Sequence, residues 1–278
     1  MNYERVVSTI EYLPPLSDTS LSIQSLYVSG AQNVNISELI RVIESDAVLS
    51  ANILKMINSP LYGFSKKIVS ITQAVTLFGT ELIFGLVIRY SINSAVVANL
   101  RAYGRSNEVF NTVCHLQSNL LTEWYSKVNL RHARFLAPLA LIMESGKLVL
   151  AKEITNAGSI KDFCQDLHKA ESVSMHEHSI FKTTSYFVSG LLFEHWNFNP
   201  LYVAILKGLD YEHQNLEELK KFIDVLDVVR TAVNVKDILT SESISEAAEI
   251  VSEIELDVNH FMSSVEKVKN NIKEKNIL

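Results

Sequence analysis

Apolar side chains recur at intervals of three or four residues along almost the whole chain, and this spacing restricts the fold more than any other feature. No stretch alternates polar and apolar residues for long, and only 9 glycines and 5 prolines interrupt the 278 residues. A period near 3.6 places apolar residues on one face of a helix, whereas a half-buried strand needs a period of two. The pattern therefore predicts an all-α fold.

Candidate helix starts can be located from the residues that precede each apolar stretch. Asn35, Asp46 and Ser70 each stand directly before such a stretch, and their side-chain oxygens can accept hydrogen bonds from the first backbone N–H groups of a helix. Gly79 is expected to end the helix that Ser70 begins, because glycine readily adopts a left-handed conformation. Thr80 then opens a long apolar helix.

The helical periodicity is interrupted at residues 100–107, where the sequence "RAYGRSNE" introduces glycine and polar residues. We therefore expect an N-terminal helical half at residues 1–104, a second half at 105–235 and C-terminal helices at 236–278. The apolar spacing of this tail suits one long helix with a dimerising heptad seam. Asp257 within it is a good N-cap, which favours two short helices folded back on the body.

Composition indicates the compartment and excludes some partners. With a net charge of −6 and no basic tracts, the chain has little bulk electrostatic attraction for nucleic acid. Cys114 and Cys164 lie far apart, as a reducing compartment allows. The N-terminus lacks a signal peptide, and uncharged apolar runs such as Phe135 to Met143 are too short to cross a bilayer. We expect a cytoplasmic protein without a membrane span and without a nucleic-acid partner.

Five stretches, taken in order, resemble the HDOD domain family. They are "YLPPLSDTS", "VIESDAVLSANILKMINSPLYG", "IVSITQAVTLFG", "LIMESGKLVL" and "SGLLFEHWNFNP", and together they cover roughly residues 10–235. HDOD domains are regulatory relatives of the HD-domain metal-dependent phosphohydrolases. The resemblance implies a multi-helical HD-domain-like bundle with an N-terminal helical subdomain. It also implies a bacterial output domain in signal transduction, of a kind often linked to motility and stress.

The resemblance also indicates where the metal ligands of an HD phosphohydrolase would stand. Such enzymes need several histidines and aspartates, because divalent metals take imidazole nitrogens and carboxylate oxygens and activate a bound water. The corresponding positions here are His115, Met143, Glu144, Ser185 and Asp210. A thioether and a hydroxyl are poor substitutes for imidazole. We therefore expect no catalytic residue, no metal and no other cofactor, with His115, Glu144 and Asp210 as the possible ligands of a diverged enzyme.

The pair Gly146-Lys147 follows the altered His-Asp position. No glycine-rich sequence surrounds this lysine, so a phosphate-binding loop is excluded. We expect a structural turn in which Gly146 ends a helix in a left-handed conformation and Lys147 caps the last carbonyls.

The segment around residues 58–67 is the best candidate for a partner or ligand surface. Its members are Asn58, Ser59, Tyr62, Gly63, Phe64, Lys66 and Lys67. Asn58 and the proline that follows Ser59 favour a turn, so the segment is either a corner of the fold or a docking loop with two exposed aromatics and a lysine rim.

Polar sequence between Thr155 and Ser179 suggests a looser section, and within it "MHEH" places His176 and His178 two residues apart. We expect a solvated loop there rather than a metal site.

Taken together, the sequence predicts a non-catalytic regulatory protein that binds an unknown protein partner or a small ligand. The alternatives are a diverged metal-dependent phosphohydrolase and a homodimer joined through the C-terminal tail.

Overall fold

The structure is a computed structural model that describes residues 1–62, 64, 66–210 and 217–274. Over these residues the fold is all-α, as predicted, and the β structure is limited to one antiparallel bridge between Val233 and Ile238. The α-helices are α1 (Tyr3–Glu11), α2 (Asp18–Leu26), α3 (Ile36–Glu44), α4 (Ala47–Ile57), α5 (Ile71–Ala95), α6 (Asn107–Tyr125), α7 (Leu130–Ile142), α8 (Gly146–Asn156), α9 (Ile160–Lys169), α10 (Val173–Phe181), α11 (Ser185–His195), α12 (Pro200–Gly208), α13 (Lys220–Ala232), α14 (Ser241–Glu253) and α15 (Val258–Glu274).

The three predicted helix starts are confirmed. The side chains of Asn35, Asp46 and Ser70 accept hydrogen bonds from backbone amides three residues further on, at 3.1, 2.9 and 3.1 Å. Gly79 has φ 78° and ψ 165°, so it divides α5 into two segments where the sequence predicted one helix to end and another to begin. These caps satisfy amides that the helices themselves leave without partners.

Helix α5 runs through the core. Its length and composition would allow it to cross a membrane, but 56% of its most apolar window is buried inside the protein, as in a core helix. Gly85 of α5 lies directly against Pro138 of α7, where a β-carbon would come within 2.7 Å of the proline Cβ. The close approach of these two helices joins the N-terminal helices to the rest of the bundle.

Other contacts tie the first two helices to the second half of the chain. Thr9 in α1 donates to Glu153 in α8 at 2.6 Å, and the indole N–H of Trp196, at the end of α11, donates to the carbonyl of Pro14 at 3.1 Å. The halves thus share an interface. The expected domain limits at residues 104 and 235 stay a prediction.

The C-terminal tail forms two helices rather than one. Glu255 adopts φ 58° between α14 and α15, and the Asp257 side chain accepts a hydrogen bond from the backbone amide of His260 at 3.1 Å. Phe261 in α15 packs edge-on against Trp124 in α6, with ring centroids 5.2 Å apart. The apolar seam of α15 is therefore covered by the body of the same chain.

The prediction of a solvated loop around "MHEH" is wrong, because α10 covers this sequence. His176 is buried, and its Nε2 atom lies 3.2 Å from the carbonyl oxygen of Phe163 in α9. The helix is short and rich in polar residues, so its burial depends on neighbours that are distant from it in sequence. This correction matters because Glu177, beside His176, is part of the site described below.

Candidate functional site

A lysine side chain lies at the centre of the polar core. The Nζ atom of Lys147 is 2.6 Å from Glu144 Oε2 and 3.7 Å from Glu177 Oε1, and all three side chains are 0% exposed. The same atom donates a hydrogen bond to Ser185 Oγ at 2.8 Å. We call these four residues, together with Gln117, Tyr103 and Tyr186, the lysine cluster.

Three separate helical elements bring the charged groups together. Glu144 stands in a single 3₁₀ turn, Met143–Ser145, that joins α7 to α8, and Lys147 follows in the first turn of α8. Glu177 lies on α10, and Ser185 begins α11. The cluster therefore depends on how α8, α10 and α11 pack, which local sequence alone does not determine.

The predicted roles of Gly146 and Lys147 are both wrong. Gly146 is right-handed helical, with φ −61° and ψ −25°, and it is needed because a β-carbon there would lie 2.0 Å from the carbonyl oxygen of Ser185. Its amide donates to Ser189 Oγ at 2.8 Å. The chain continues from the 3₁₀ turn into α8 without a left-handed residue, so Lys147 lies at the start of a helix and points into the core instead of capping carbonyls.

Both carboxylates have further hydrogen bonds. Glu144 Oε1 accepts from Gln117 Nε2 at 2.8 Å and from the Tyr186 hydroxyl at 3.0 Å. Glu177 accepts from the Tyr103 hydroxyl at 2.8 Å and from the backbone amide of Ser185 at 2.7 Å. Buried charges persist where partners and hydrogen bonds offset the loss of water, as they do here.

Aromatic rings enclose the ammonium group. Lys147 Nζ lies 4.6 Å from the centroid of the Tyr186 ring and 5.8 Å from that of Tyr103. The guanidinium carbon of Arg230 is 4.4 Å from the centroid of Tyr186. Cations over aromatic faces are attracted by the ring quadrupole, and more strongly where water is absent.

The cluster keeps its charges despite complete burial. Burial disfavours the charged form of Glu144, but the charge and hydrogen bond of Lys147 outweigh this and hold the pKa of that carboxyl below its usual range. Burial also opposes the charged form of Lys147, and Glu144 and Glu177 together hold the pKa of its ammonium well above its usual range. Both pKa shifts favour the charged forms, so the pair is ionic at neutral pH.

The structure brings two of the five predicted metal-ligand positions together. Glu144 and Ser185 both contact the Lys147 ammonium. Met143 beside them is fully buried among apolar groups. Asp210 is also buried, but it accepts a hydrogen bond from Thr184 at 2.9 Å. His213, three positions further along the chain, lies outside the described residues.

His115 contacts Tyr62 rather than the other predicted metal-ligand positions. Its Nδ1 atom lies 2.8 Å from the Tyr62 hydroxyl, and burial together with the nearby charge of Arg89 lowers the pKa of His115 to about 3. Gln117, two residues further along α6, contacts Glu144 instead. Neither Gln117 nor Glu177 was predicted as a site residue from the sequence.

The segment at residues 58–67 is only partly a surface. The Asn58 side chain bonds to the amide and the carbonyl of Ile68, both at 2.8 Å, and so closes the loop. The docking-loop alternative would expose Tyr62, but this residue is only partly exposed: its hydroxyl lies 2.8 Å from His115 Nδ1, and burial raises the pKa of Tyr62 well above its usual range. Phe64 is 45% exposed and packs against Phe78.

The remaining residues of this segment also include both exposed and partly buried side chains. Lys66 and Lys67 are exposed, whereas Ser59 is half-buried and its carbonyl accepts from the amide of Tyr62 at 3.1 Å. Gly63 lies outside the described residues.

A comparison with known families identifies the family to which this fold belongs. The family model of the HDOD domain matches residues 13–210. This chain belongs to the HDOD domain family. The expected resemblance and the expected fold are thus confirmed, and no curated protein matches the sequence.

Several solved structures resemble this HDOD protein over most of its length. A virulence factor from Campylobacter jejuni subsp. jejuni is 25% identical, with 97% of this chain and 98% of that chain covered and a TM-score of 0.58. A candidate phosphohydrolase from Shewanella amazonensis SB2B is 16% identical, with 98% and 95% covered and a TM-score of 0.69. A candidate signal transduction protein from Marinobacter aquaeolei VT8 is 18% identical, with 100% and 61% covered and a TM-score of 0.70. The last two show the fold alone.

A divalent metal centre of the HD type does not fit the lysine cluster of this HDOD protein. The Glu144 carboxylate is paired with an ammonium 2.6 Å away, and its neighbours Gln117 and Ser185 offer an amide and a hydroxyl rather than the imidazole nitrogens that such metals prefer. Among the described residues, no group of three or more His, Cys, Asp or Glu side chains is arranged to hold a metal ion.

Proposed function

We propose that this HDOD protein is a non-catalytic regulatory protein of bacterial signal transduction, cytoplasmic, and active through binding a protein partner or a small ligand. The observation that carries the proposal is that Glu144 is fully buried and has all of its contacts within the protein. Its carboxylate is 0% exposed and is held by Lys147, Gln117 and Tyr186. The Marinobacter structure, described as a candidate signal transduction protein, is consistent with this role.

A hydrolase of the HD type needs a metal-bound water and a substrate at the same carboxylate. Here neither could reach Glu144 without separation of the buried pair that it forms with Lys147. Breaking a buried ion pair by removal of one partner costs about 3–5 kcal/mol, because the other charge is left uncompensated. The cluster therefore supports a structural role for the former catalytic turn.

The alternative function is a diverged metal-dependent phosphohydrolase. What favours it is the retained carboxylate of Glu144, together with the fold shared with the Shewanella candidate phosphohydrolase. The alternative requires His115, Glu144 and Asp210 to act on one substrate. In the structure, His115 is bonded to Tyr62 and Asp210 to Thr184.

Turnover assays separate the two functions. We expect no hydrolysis of nucleotides, phosphomonoesters or cyclic dinucleotides in the presence of Mg²⁺, Mn²⁺ or Fe²⁺, with the Glu144→Gln variant as the matched control. Any activity that persists equally in Glu144→Gln does not come from the lysine cluster. Metal-dependent turnover in the wild-type protein that is lost in this variant would contradict the proposal.

We propose that the exposed part of the 58–67 segment contacts the regulatory partner, while nucleic acid is not a partner. Phe64 supplies exposed aromatic area, and Lys66 and Lys67 lie beside it in sequence with their side chains in solvent. An aromatic anchor with a basic rim suits a protein surface that carries acidic residues.

The surface proposal is tested by quantitative binding to the partner. Once a partner is isolated, Phe64→Ser should weaken its affinity at least tenfold, and Lys66→Glu/Lys67→Glu should slow association in low salt. Val97, which is 81% exposed elsewhere on the molecule, provides the matched control as Val97→Ser. Equal affinities for wild-type protein and Phe64→Ser would rule this surface out.

A further inference from the structure

We propose that the lysine cluster is a cation-binding site filled by the protein's own side chain, with the Lys147 ammonium as a tethered replacement for a bound cation. The ligand class of the site is a primary ammonium ion. The inference rests on the geometry of the buried cluster and is tested by stability rather than by activity.

The convergence of acceptors is the first support. Glu144 from the turn before α8 and Ser185 from the start of α11 both lie within 2.8 Å of Lys147 Nζ. These are the two positions where the sequence comparison with HD phosphohydrolases places metal ligands. The ammonium therefore lies between two former ligand positions, as a bound cation would.

A second carboxylate completes the environment. Glu177 Oε1 is 3.7 Å from Nζ, too long for a hydrogen bond but close enough for a strong interaction in a site without water. Glu177 stands on α10, so the ammonium lies between acids from two different elements. The Glu177 carboxylate is fixed in this position by the hydrogen bonds that it accepts from the Tyr103 hydroxyl and the Ser185 amide.

The walls of the site suit an ammonium group. The rings of Tyr186 and Tyr103 lie 4.6 and 5.8 Å from Nζ, an arrangement that resembles the aromatic enclosures by which proteins recognise alkylammonium ions. All of the side-chain oxygens nearest the cation belong to carboxylates and a hydroxyl. The chemistry selects a cation with hydrogen-bond donors rather than a neutral group of the same size.

Removal of the lysine side chain should therefore leave a site for a free ammonium ion. Lys147→Ala keeps the β-carbon and removes three carbons and the nitrogen, which is the size of n-propylammonium. We expect the variant to lose roughly 10 °C in Tm, and n-propylammonium chloride to restore part of this loss with saturation, because a ligand that binds only the folded state stabilises it.

Three controls make the rescue specific. n-Propanol, of the same shape but neutral, should not restore Tm, and sodium chloride at matched ionic strength should not either. Lys152→Ala, on the same helix, should show no rescue. Glu144→Gln/Lys147→Ala should lose most of the response to n-propylammonium, because one of the two acids is gone.

The outcomes decide the inference without an activity assay. Saturable stabilisation of Lys147→Ala by n-propylammonium, with loss of the response in Glu144→Gln/Lys147→Ala, supports an ammonium site, whereas stabilisation by a divalent metal ion and not by n-propylammonium would overturn the inference. Equal stabilisation by n-propanol would show a simple void and would overturn the inference, as would no stabilisation by any cation.

If Lys147→Ala does not fold, a second comparison applies. Lys147→Met fills the space with an apolar chain and leaves Glu144 and Glu177 without their cation. Adding Glu144→Gln should then raise the yield of folded protein, because one buried charge is removed. A double variant that is less stable than Lys147→Met would contradict the inference.

Discussion

At the scale of single residues, burial keeps His115, which the sequence suggested as a possible metal ligand, in its neutral form. Burial and the charge of Arg89 lower the pKa of His115 to about 3, and its Nδ1 atom is 2.8 Å from the hydroxyl of Tyr62. In the unfolded chain a histidine has a pKa of about 6.5. The unfolded state therefore binds more protons than the folded state between these two values, so His115 makes stability fall as the pH drops below about 6.5.

This difference predicts the acid sensitivity of the protein. Between pH 7 and pH 5, His115 should contribute a loss of about 2 kcal/mol in the free energy of unfolding. In His115→Gln the loss over the same range should be smaller by roughly this amount, as measured by urea denaturation at both pH values. His195→Gln, at an exposed position, is the control. Identical pH profiles for wild-type protein and His115→Gln would contradict the assigned pKa.

The site was only partly predictable from its residues. Met143 and Ser185 indicated lost ligands because side-chain chemistry can be judged from identity alone. The burial of Lys147 was not predictable, because lysine side chains are normally solvated unless they are paired. Its partner Glu177 lies 30 positions away in the sequence, so the pairing is not visible locally. Gln117 was missed because a shift of two residues along α6 exchanges one side of the helix for another.

At the scale of elements, the crossing of α8 and α11 determines the geometry of the cluster. Gly146 lies so close to Ser185 that a β-carbon would be 2.0 Å from its carbonyl oxygen. The amide of Gly146 and the hydroxyl of Ser189 form a hydrogen bond across the same contact. Any side chain at residue 146 would push apart the two helices that carry Lys147 and Ser185.

The close approach predicts an unequal response of two glycines to the same substitution. Gly146→Ala should destabilise the protein by about 3 kcal/mol or more, because backbone atoms must move. Gly158→Ala, at φ 69° with no atom near its β-carbon, should cost about 1 kcal/mol from strain alone. Chemical denaturation measures both. Equal costs would favour the left-handed turn that the sequence suggested for Gly146.

Helix ends were the elements best predicted from sequence. Asn35, Asp46 and Ser70 cap as expected because capping depends on neighbours three residues away. Helix α10 was mistaken for a loop because its apolar contacts come from α9 and are invisible in a local window. Local chemistry thus located most helix starts, and tertiary contacts determined which polar segments were buried.

At the scale of the whole molecule, the C-terminal tail closes over α6. Phe261 packs on Trp124, and His260 Nε2 is 3.0 Å from the carbonyl of Trp124. A homodimer through the tail seam would have to displace these contacts. Light scattering of the protein with and without residues 241–278 tests the homodimer. A dimer joined through the tail would have twice the chain mass of 31.3 kDa, and deletion of the tail would convert it to a monomer.

We also expect the folded chain to bind no divalent metal at the lysine cluster. The Lys147 ammonium lies 2.6 Å from Glu144 and places a positive charge beside this carboxylate. A divalent cation at the same carboxylate would be repelled by that charge.

Metal analysis of the native protein, purified without chelators and measured by inductively coupled plasma mass spectrometry, tests this claim most directly. We expect far less than one divalent ion per chain for the wild-type protein and for Glu144→Gln alike. About one or two ions per wild-type chain, reduced in Glu144→Gln, would contradict the account.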